Sequence, residues 1–140
     1  MSAAADFADR FAAYWRAPTV EGLDALLAPD VRLVAPMTRA SVGLEEGKRV
    51  FGSLLRLLPD LTGVVHRWGP TPDGLLIEFT LSATAGGTTV SWDAVDRIVL
   101  REDGLATLRV SYFDSGRLLR QVALRPRAWP TLLRLAANGR

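Results

Sequence analysis

Two periodicities divide the chain. Up to about residue 58 apolar side chains recur mostly at helical spacing, and beyond it they alternate. Phe7, Phe11, Tyr14 and Trp15 fall on one broad face of residues 4–16, which predicts an amphipathic helix ended by Pro18. Thr19 then caps a second helix that turns Leu23, Leu26 and Leu27 inward and stops at Pro29-Asp30. Val31–Ala35 reads as a short strand closed by Pro36, and residues 37–43 as a loop. Leu44–Leu58 predicts a third helix, with Val50, Phe51, Leu54, Leu55 and Leu58 as its buried stripe.

The second half has the period of strands. Leu61–Trp68 is followed by the turn Thr71-Pro72-Asp73-Gly74. In Leu75–Ala85, Leu75, Ile77, Phe79, Leu81 and Ala83 alternate with Leu76, Glu78, Thr80, Ser82 and Thr84. Gly86-Gly87 suits a two-residue hairpin with positive φ, and Thr88–Leu100 returns. Asp103-Gly104 predicts another hairpin before a last strand, Leu105–Asp114. The tail reads as a short helix, Gly116–Leu124, and a second one after Pro130. Helices grouped ahead of an antiparallel meander predict an α+β fold, three helices on one face of a curved, mostly antiparallel sheet, with a helical tail. A curved sheet under helices leaves a cone-shaped hollow, the usual place for a small apolar ligand.

Alternation also sorts the chemistry. Phe79, Leu81 and Ala83 should face the hollow with Trp92, Ala94 and Asp96, leaving Asp93, Val95 and Arg97 outside. On the last strand Arg109, Ser111 and Phe113 should point inward. Ala106, Leu108, Val110 and Tyr112 should then form an apolar outer stripe, a pattern that marks a partner surface.

Composition narrows the classes. The 140 residues are 49% apolar and 23% charged, as in a soluble domain with a core of its own. Cysteine is absent, which excludes disulfides, zinc–thiolate sites and thiol nucleophiles. His66 is the single histidine, and no second metal ligand stands at a familiar spacing, so no metal is expected. There is no phosphate-binding glycine loop and no Gly-x-Ser-x-Gly elbow, and no cofactor is implied. The opening residues have neither a basic stretch nor an apolar core of the signal-peptide type, and no apolar run is long enough to span a bilayer, so a cytoplasmic location is expected. Charge is uneven. Residues 1–114 carry 11 basic and 15 acidic side chains, and residues 115–140 carry six arginines and no acid. That change divides the chain into a domain, 1–115, and a basic helical extension, 116–140. The sheet lacks a basic stripe interleaved with aromatics, which argues against nucleic acid as a partner.

Four passages resemble the nuclear transport factor 2-like superfamily, in particular its SnoaL-like polyketide cyclase and ketosteroid isomerase-like branch. They are Leu26-Leu27-Ala28-Pro29-Asp30-Val31-Arg32-Leu33, Gly43-Leu44-Glu45-Glu46, Leu58-Pro59-Asp60-Leu61, and the hairpin from Arg101-Glu102-Asp103-Gly104 to Ser111-Tyr112-Phe113-Asp114. The resemblance covers roughly residues 5–115 and implies a cone-shaped fold, with a homodimer formed through the convex sheet face. Counted back from Gly104, Asp96 matches the oxyanion-hole aspartic acid of ketosteroid isomerase-like proteins. The family's general base matches Ala35, and its tyrosine partner matches Phe11. Limonene epoxide hydrolases share a Tyr-Phe-Asp like Tyr112-Phe113-Asp114, but their catalytic triad does not carry over, its last aspartate matching Ser111.

The candidates follow from both lines. Asp96 in an apolar hollow could stay protonated and donate to an enolate or carbonyl oxygen; if Arg109 reaches it, the pair would hold it ionised. Arg109 is itself a candidate anchor for a carboxylate or phenolate. His66 and Tyr14 are candidates for the second catalytic group, although a lone strand histidine is more often packed or half-exposed. Trp92, Phe79, Ser111, Phe113, Trp15 and Phe11 should wall the ligand, or else be plain core. Two functions compete: an isomerase, cyclase or dehydratase of the SnoaL-like type acting on an apolar, cyclic substrate, and a non-catalytic binding module or dimeric scaffold. A further alternative is an epoxide hydrolase-like enzyme with a non-standard site.

Overall fold

A computed structural model describes residues 2–138; Met1 and residues 139–140, the last of the basic tail, lie outside the described residues. Helix α1 spans Ala3–Arg16 and is capped by Ser2, whose side chain accepts from the Ala5 amide. It buries Phe7, Phe11 and Trp15, the predicted stripe, with Tyr14 half-buried beside them. The second predicted helix is shorter than its pattern. It is a single 3-10 segment, Glu21–Ala25, and Leu27 already begins a strand. The expected cap Thr19 stands one residue before the N-cap Val20, its hydroxyl accepting from the Gly22 amide at 3.0 Å, and Leu23, Leu26 and Leu27 are buried. Helix α2, Leu44–Leu57, starts after Gly43, whose φ of 94° places it in the region open to glycine.

The strands are β1 (Leu27–Val34), β2 (Ser41–Val42), β3 (Thr62–Thr71), β4 (Gly74–Ala85), β5 (Thr88–Leu100) and β6 (Ala106–Phe113). They form one six-stranded sheet in the order β2-β1-β6-β5-β4-β3. β3 to β6 make the predicted antiparallel meander. β1 lies parallel to β6, which closes the chain's two halves onto each other, and β2, a short strand within the expected 37–43 loop, pairs antiparallel with β1. Pro29 and Asp30 sit within β1, at the register shift between Leu27 and Arg32, where a missing amide disturbs no regular ladder.

Alternation holds along β4 and β5. Phe79 pairs with Ala94 and Ile77 with Asp96, all on the buried face. It slips at two bulges. In β6 the register shifts between Val99 and Leu100, so that Leu100 faces Ala106 and Val99 faces Leu108. Ala106, expected outside, is therefore fully buried. In β3 the shift falls between Val65 and Arg67, leaving His66 as the extra residue. Trp68 pairs with Ile77 and so leaves the face on which Val64 lies, although simple alternation puts the two together.

After the sheet come α3 (Ser115–Ala123), a 3-10 turn (Pro126–Ala128) and α4 (Trp129–Asn138). Asp114 caps α3 by accepting from the Arg117 amide. This segment folds back onto the hairpin between β4 and β5. The Gln121 amide bonds both backbone groups of Ser91, and Val122 and Ala128 are buried with the main core. Gly86 lies so close that an added Cβ would stand 1.7 Å from the Arg127 carbonyl oxygen.

Candidate functional site

The concave face of the sheet is mostly apolar, and its charged point among the described residues is the buried pair of Asp96 and Arg109. Asp96 is fully buried on β5 and ion-paired with Arg109 of β6, whose Nε donates to Asp96 Oδ2; the two side chains are 0% and 17% exposed. Their strands bring them together: Asp96 lies opposite Ser111 and Ile98 opposite Arg109, so the guanidinium reaches along one face to the carboxylate. The contact uses only part of each group. Asp96 Oδ1 is buried with no hydrogen-bond partner, and the two Nη groups of Arg109 have none among the described residues. The guanidinium also lies over aromatic rings, its Cζ 5.6 Å from the Trp15 centroid and 6.0 Å from Phe11. Of the two electrostatic settings open to Asp96, an isolated carboxyl or an arginine pair, the chain has the pair. Because arginine is a permanent cation, Asp96 there acts as an acceptor.

The walls come from α1 and β4. Phe79 stands edge-on to Phe11 at 5.2 Å and stacked with Trp15 at 5.8 Å. Trp15 Nε1 is a second buried polar atom without a partner. These rings nearly fill the hollow. The space left between Phe11, Tyr14, Trp15, Leu26, Ile98 and Arg109 is about 10 Å³, room for about one water. Trp92 and Phe113 are only half-buried on the same face, opposite Leu81 and Ala94, and Ser111 is half-buried between Arg109 and Phe113. The larger space, about 450 Å³, is an open groove bordered by Glu78, Asp93, Tyr112 and Asp114. It is acidic and solvated, and lacks the enclosure that would make a polar contact selective, so the chemistry is better sought at the buried pair.

Tyr14 borders the hollow, but its hydroxyl donates to the Thr19 carbonyl at 2.8 Å. Burial pushes this phenol well above its ordinary range, against a lowering pull from Arg109 and with a smaller push from Glu21. Its proton is committed to the backbone.

His66 does not join Asp96. It lies on the outer face with Val64, and its Nε2 is 2.7 Å from Thr80 Oγ1. The Thr80 hydroxyl in turn donates to Asp93 Oδ1 at 2.6 Å. A hydroxyl has one proton, so the nitrogen facing it must donate, and His66 carries its hydrogen on Nε2. The facing of His66, open in the sequence, is outward: an Asp93–Thr80–His66 chain decorates the side of the sheet opposite Asp96. Half of it was foreseeable, since outward Asp93 falls opposite Thr80 across the hairpin; the pairing of Val64 with Thr80, which sets the facing of His66, is not encoded in the alternation of β3 alone. Among the described residues no three histidine, cysteine, aspartate or glutamate side chains gather as a metal site, and no helix is long and apolar enough to cross a membrane.

Comparison with known proteins bears on the fold. No curated protein matches the chain significantly. Solved structures do match. TerC, co-crystallised with polyporic acid, is 21% identical with a TM-score of 0.75, the match covering 85% of this chain and 97% of that one. An NTF2-like protein of unknown function from Burkholderia pseudomallei is 18% identical with a TM-score of 0.75, over 86% and 97% of the two chains. A candidate SnoaL-like polyketide cyclase from Jannaschia sp. CCS1 is 16% identical with a TM-score of 0.72, over 84% and 89%. At these identities the likeness is one of fold. The SnoaL-like domain model matches residues 8–109, from within α1 to Arg109 in β6, and so takes in α2, β1 to β5 and both members of the buried pair, but not α3 or α4. The chain therefore belongs to the SnoaL-like domain family, within the nuclear transport factor 2-like superfamily.

Proposed function

We propose that the protein is an isomerase or cyclase of the SnoaL-like type, acting on an apolar, cyclic ketone at the Asp96–Arg109 pair. The observation that carries this reading is the unpartnered Asp96 Oδ1 beside a permanent cation with free Nη donors. A carboxylate so placed is a proton acceptor. It takes a proton from the carbon next to the carbonyl, the C–H electrons form a C=C bond as the C=O π electrons move onto the oxygen, and Arg109 meets the negative charge that forms there. Returning the proton to another carbon isomerises the substrate. Attack of the enolate carbon on a second carbonyl closes a ring, the alkoxide so formed taking back the proton that Asp96 holds. Asp96 is thus a base, with Arg109 taking the oxyanion role that the family resemblance implies for the aspartic acid. Phe11, Trp15 and Phe79 would stack on a flat substrate, and the co-crystallisation of TerC, a protein of the same fold, with polyporic acid supports that choice of ligand. The hollow must widen for entry, and half-buried Trp92 and Phe113 are the side chains placed to swing.

The test is exchange of the acidic carbon-bound protons of β-tetralone in heavy water, followed by NMR. The wild-type chain should accelerate it, and Asp96→Asn should lower that acceleration by about a hundredfold or more. Retention of activity within a few-fold would remove Asp96 from the chemistry. The nearly filled hollow favours a second reading, a carrier that binds without reacting. In that case β-tetralone raises the melting temperature and no exchange occurs.

The outer face supports a homodimer. Val64, Leu76 and Tyr112 are exposed there, with Val95, Leu108 and Val110 half-buried between the strands. Light scattering should give twice the chain mass, falling to one chain mass in Val64→Lys/Tyr112→Lys. A monomeric wild type would end this reading.

A further inference from the structure

The segment after the sheet has a surface that the hollow does not explain. Arg117, Arg120, Arg125, Arg127 and Arg134 are all exposed, with no carboxylate anywhere in residues 115–138. None of the five enters an ion pair among the described residues. The same short segment exposes large apolar side chains: Leu124 is 78% accessible, Leu133 70%, Trp129 48% and Leu119 39%. This is not a loose end. The segment is held by Gln121 on Ser91, by Arg125 Nη1 donating to the Thr89 carbonyl at 2.6 Å, and by burial of Val122 and Ala128. Its apolar groups are presented on a docked scaffold.

Two details choose among partners. Trp129 and Leu133 lie one helical turn apart and share a face of α4. The Trp129 indole donates to the Val122 carbonyl at 2.9 Å, so its one polar atom is satisfied from within and the ring can leave water without stranding a donor. A nucleic acid would satisfy the arginines but leave Leu124 and Leu133 in water. An apolar protein groove would take the leucines but leave five cations desolvated or idle. An anionic bilayer surface accepts both, with arginines at the phosphate level and leucines and the indole at the acyl boundary. We propose that the outer surface of residues 115–138 is a peripheral docking site for membranes rich in anionic lipid.

The experiment is co-sedimentation of the full chain with phosphatidylcholine vesicles, with and without phosphatidylserine. The chain should sediment only with phosphatidylserine present. Arg117→Gln/Arg120→Gln/Arg134→Gln should lower partitioning by at least about tenfold, and Leu124→Ser/Leu133→Ser should do so by about tenfold. All five positions are exposed, so circular dichroism of both variants should match wild type. Failure of the wild type to bind phosphatidylserine vesicles overturns the proposal. So does undiminished binding by the leucine variant together with equal binding to duplex DNA, which would mark a surface that reads charge alone.

Discussion

Replacing Arg109 by Met should destabilise the fold by about 3–5 kcal/mol, since it strands a carboxylate in an apolar interior. Asp96 is fully buried, and one of its oxygens already lacks a partner; without the guanidinium the other loses its donor as well. The reverse change should be milder. Arg109 is 17% exposed, and its long stem lets the charged head move toward water when Asp96 is replaced by Asn. Removing both charges, as in Arg109→Met/Asp96→Leu, should restore most of the loss, because a buried ion pair gains little net stability over well-packed apolar side chains. Urea unfolding of the two single variants and the double variant forms a complete cycle. A loss under about 1 kcal/mol in Arg109→Met would mean that water reaches Asp96, and the enclosed pair would no longer describe the site.

That asymmetry bears on function. A pair that contributed only stability would be better replaced by leucine and methionine. The chain instead keeps two charged groups with hydrogen-bonding capacity to spare, of which Arg109 borders the hollow. Polar groups retained against a stability cost are the expected mark of a site that binds or reacts.

Much of this could be read from the residues. The inward set on β4 and β5 follows from alternation alone, because a one-residue slip would put Phe79 in water and Glu78 in the core. Asp96 inward and Asp93 outward were legible for the same reason. Bulges were not. Ala106 and His66 sit beside the two register shifts, and a bulge inserts one residue without changing the local composition. The parallel pairing of β1 with β6 was equally hidden, since it joins segments more than seventy residues apart and depends on the closure of the whole sheet. The ion pair stood as one of two alternatives. Alternation put Arg109 on the right face, but a period of two says nothing about how far a guanidinium reaches along it. The near-filling of the hollow depends on how Phe11, Trp15 and Phe79 pack against one another, which no periodicity encodes.

Phe79→Ala should cost about 3–5 kcal/mol and turn the filled hollow into a true cavity. Phe79 is fully buried at the centre of β4, and the rings of Phe11 and Trp15 close on it from α1. Both belong to a helix tied to the 3-10 segment and to the β5–β6 turn, where Arg10 donates to the Ala25 and Gly104 carbonyls. Collapse into the space is therefore limited, and the space remains. An apolar void of this kind takes up apolar guests. Benzene should accordingly raise the melting temperature of Phe79→Ala while leaving the wild type unchanged, by the linkage between binding and folding. Because Arg109 lies over the same two aromatic rings, the enlarged hollow stays next to the ion pair. The variant should then bind β-tetralone more tightly than wild type if entry is limited by packing. Equal affinity in both would show that the natural ligand path runs elsewhere, past Trp92 and Phe113, and that Phe79 is core.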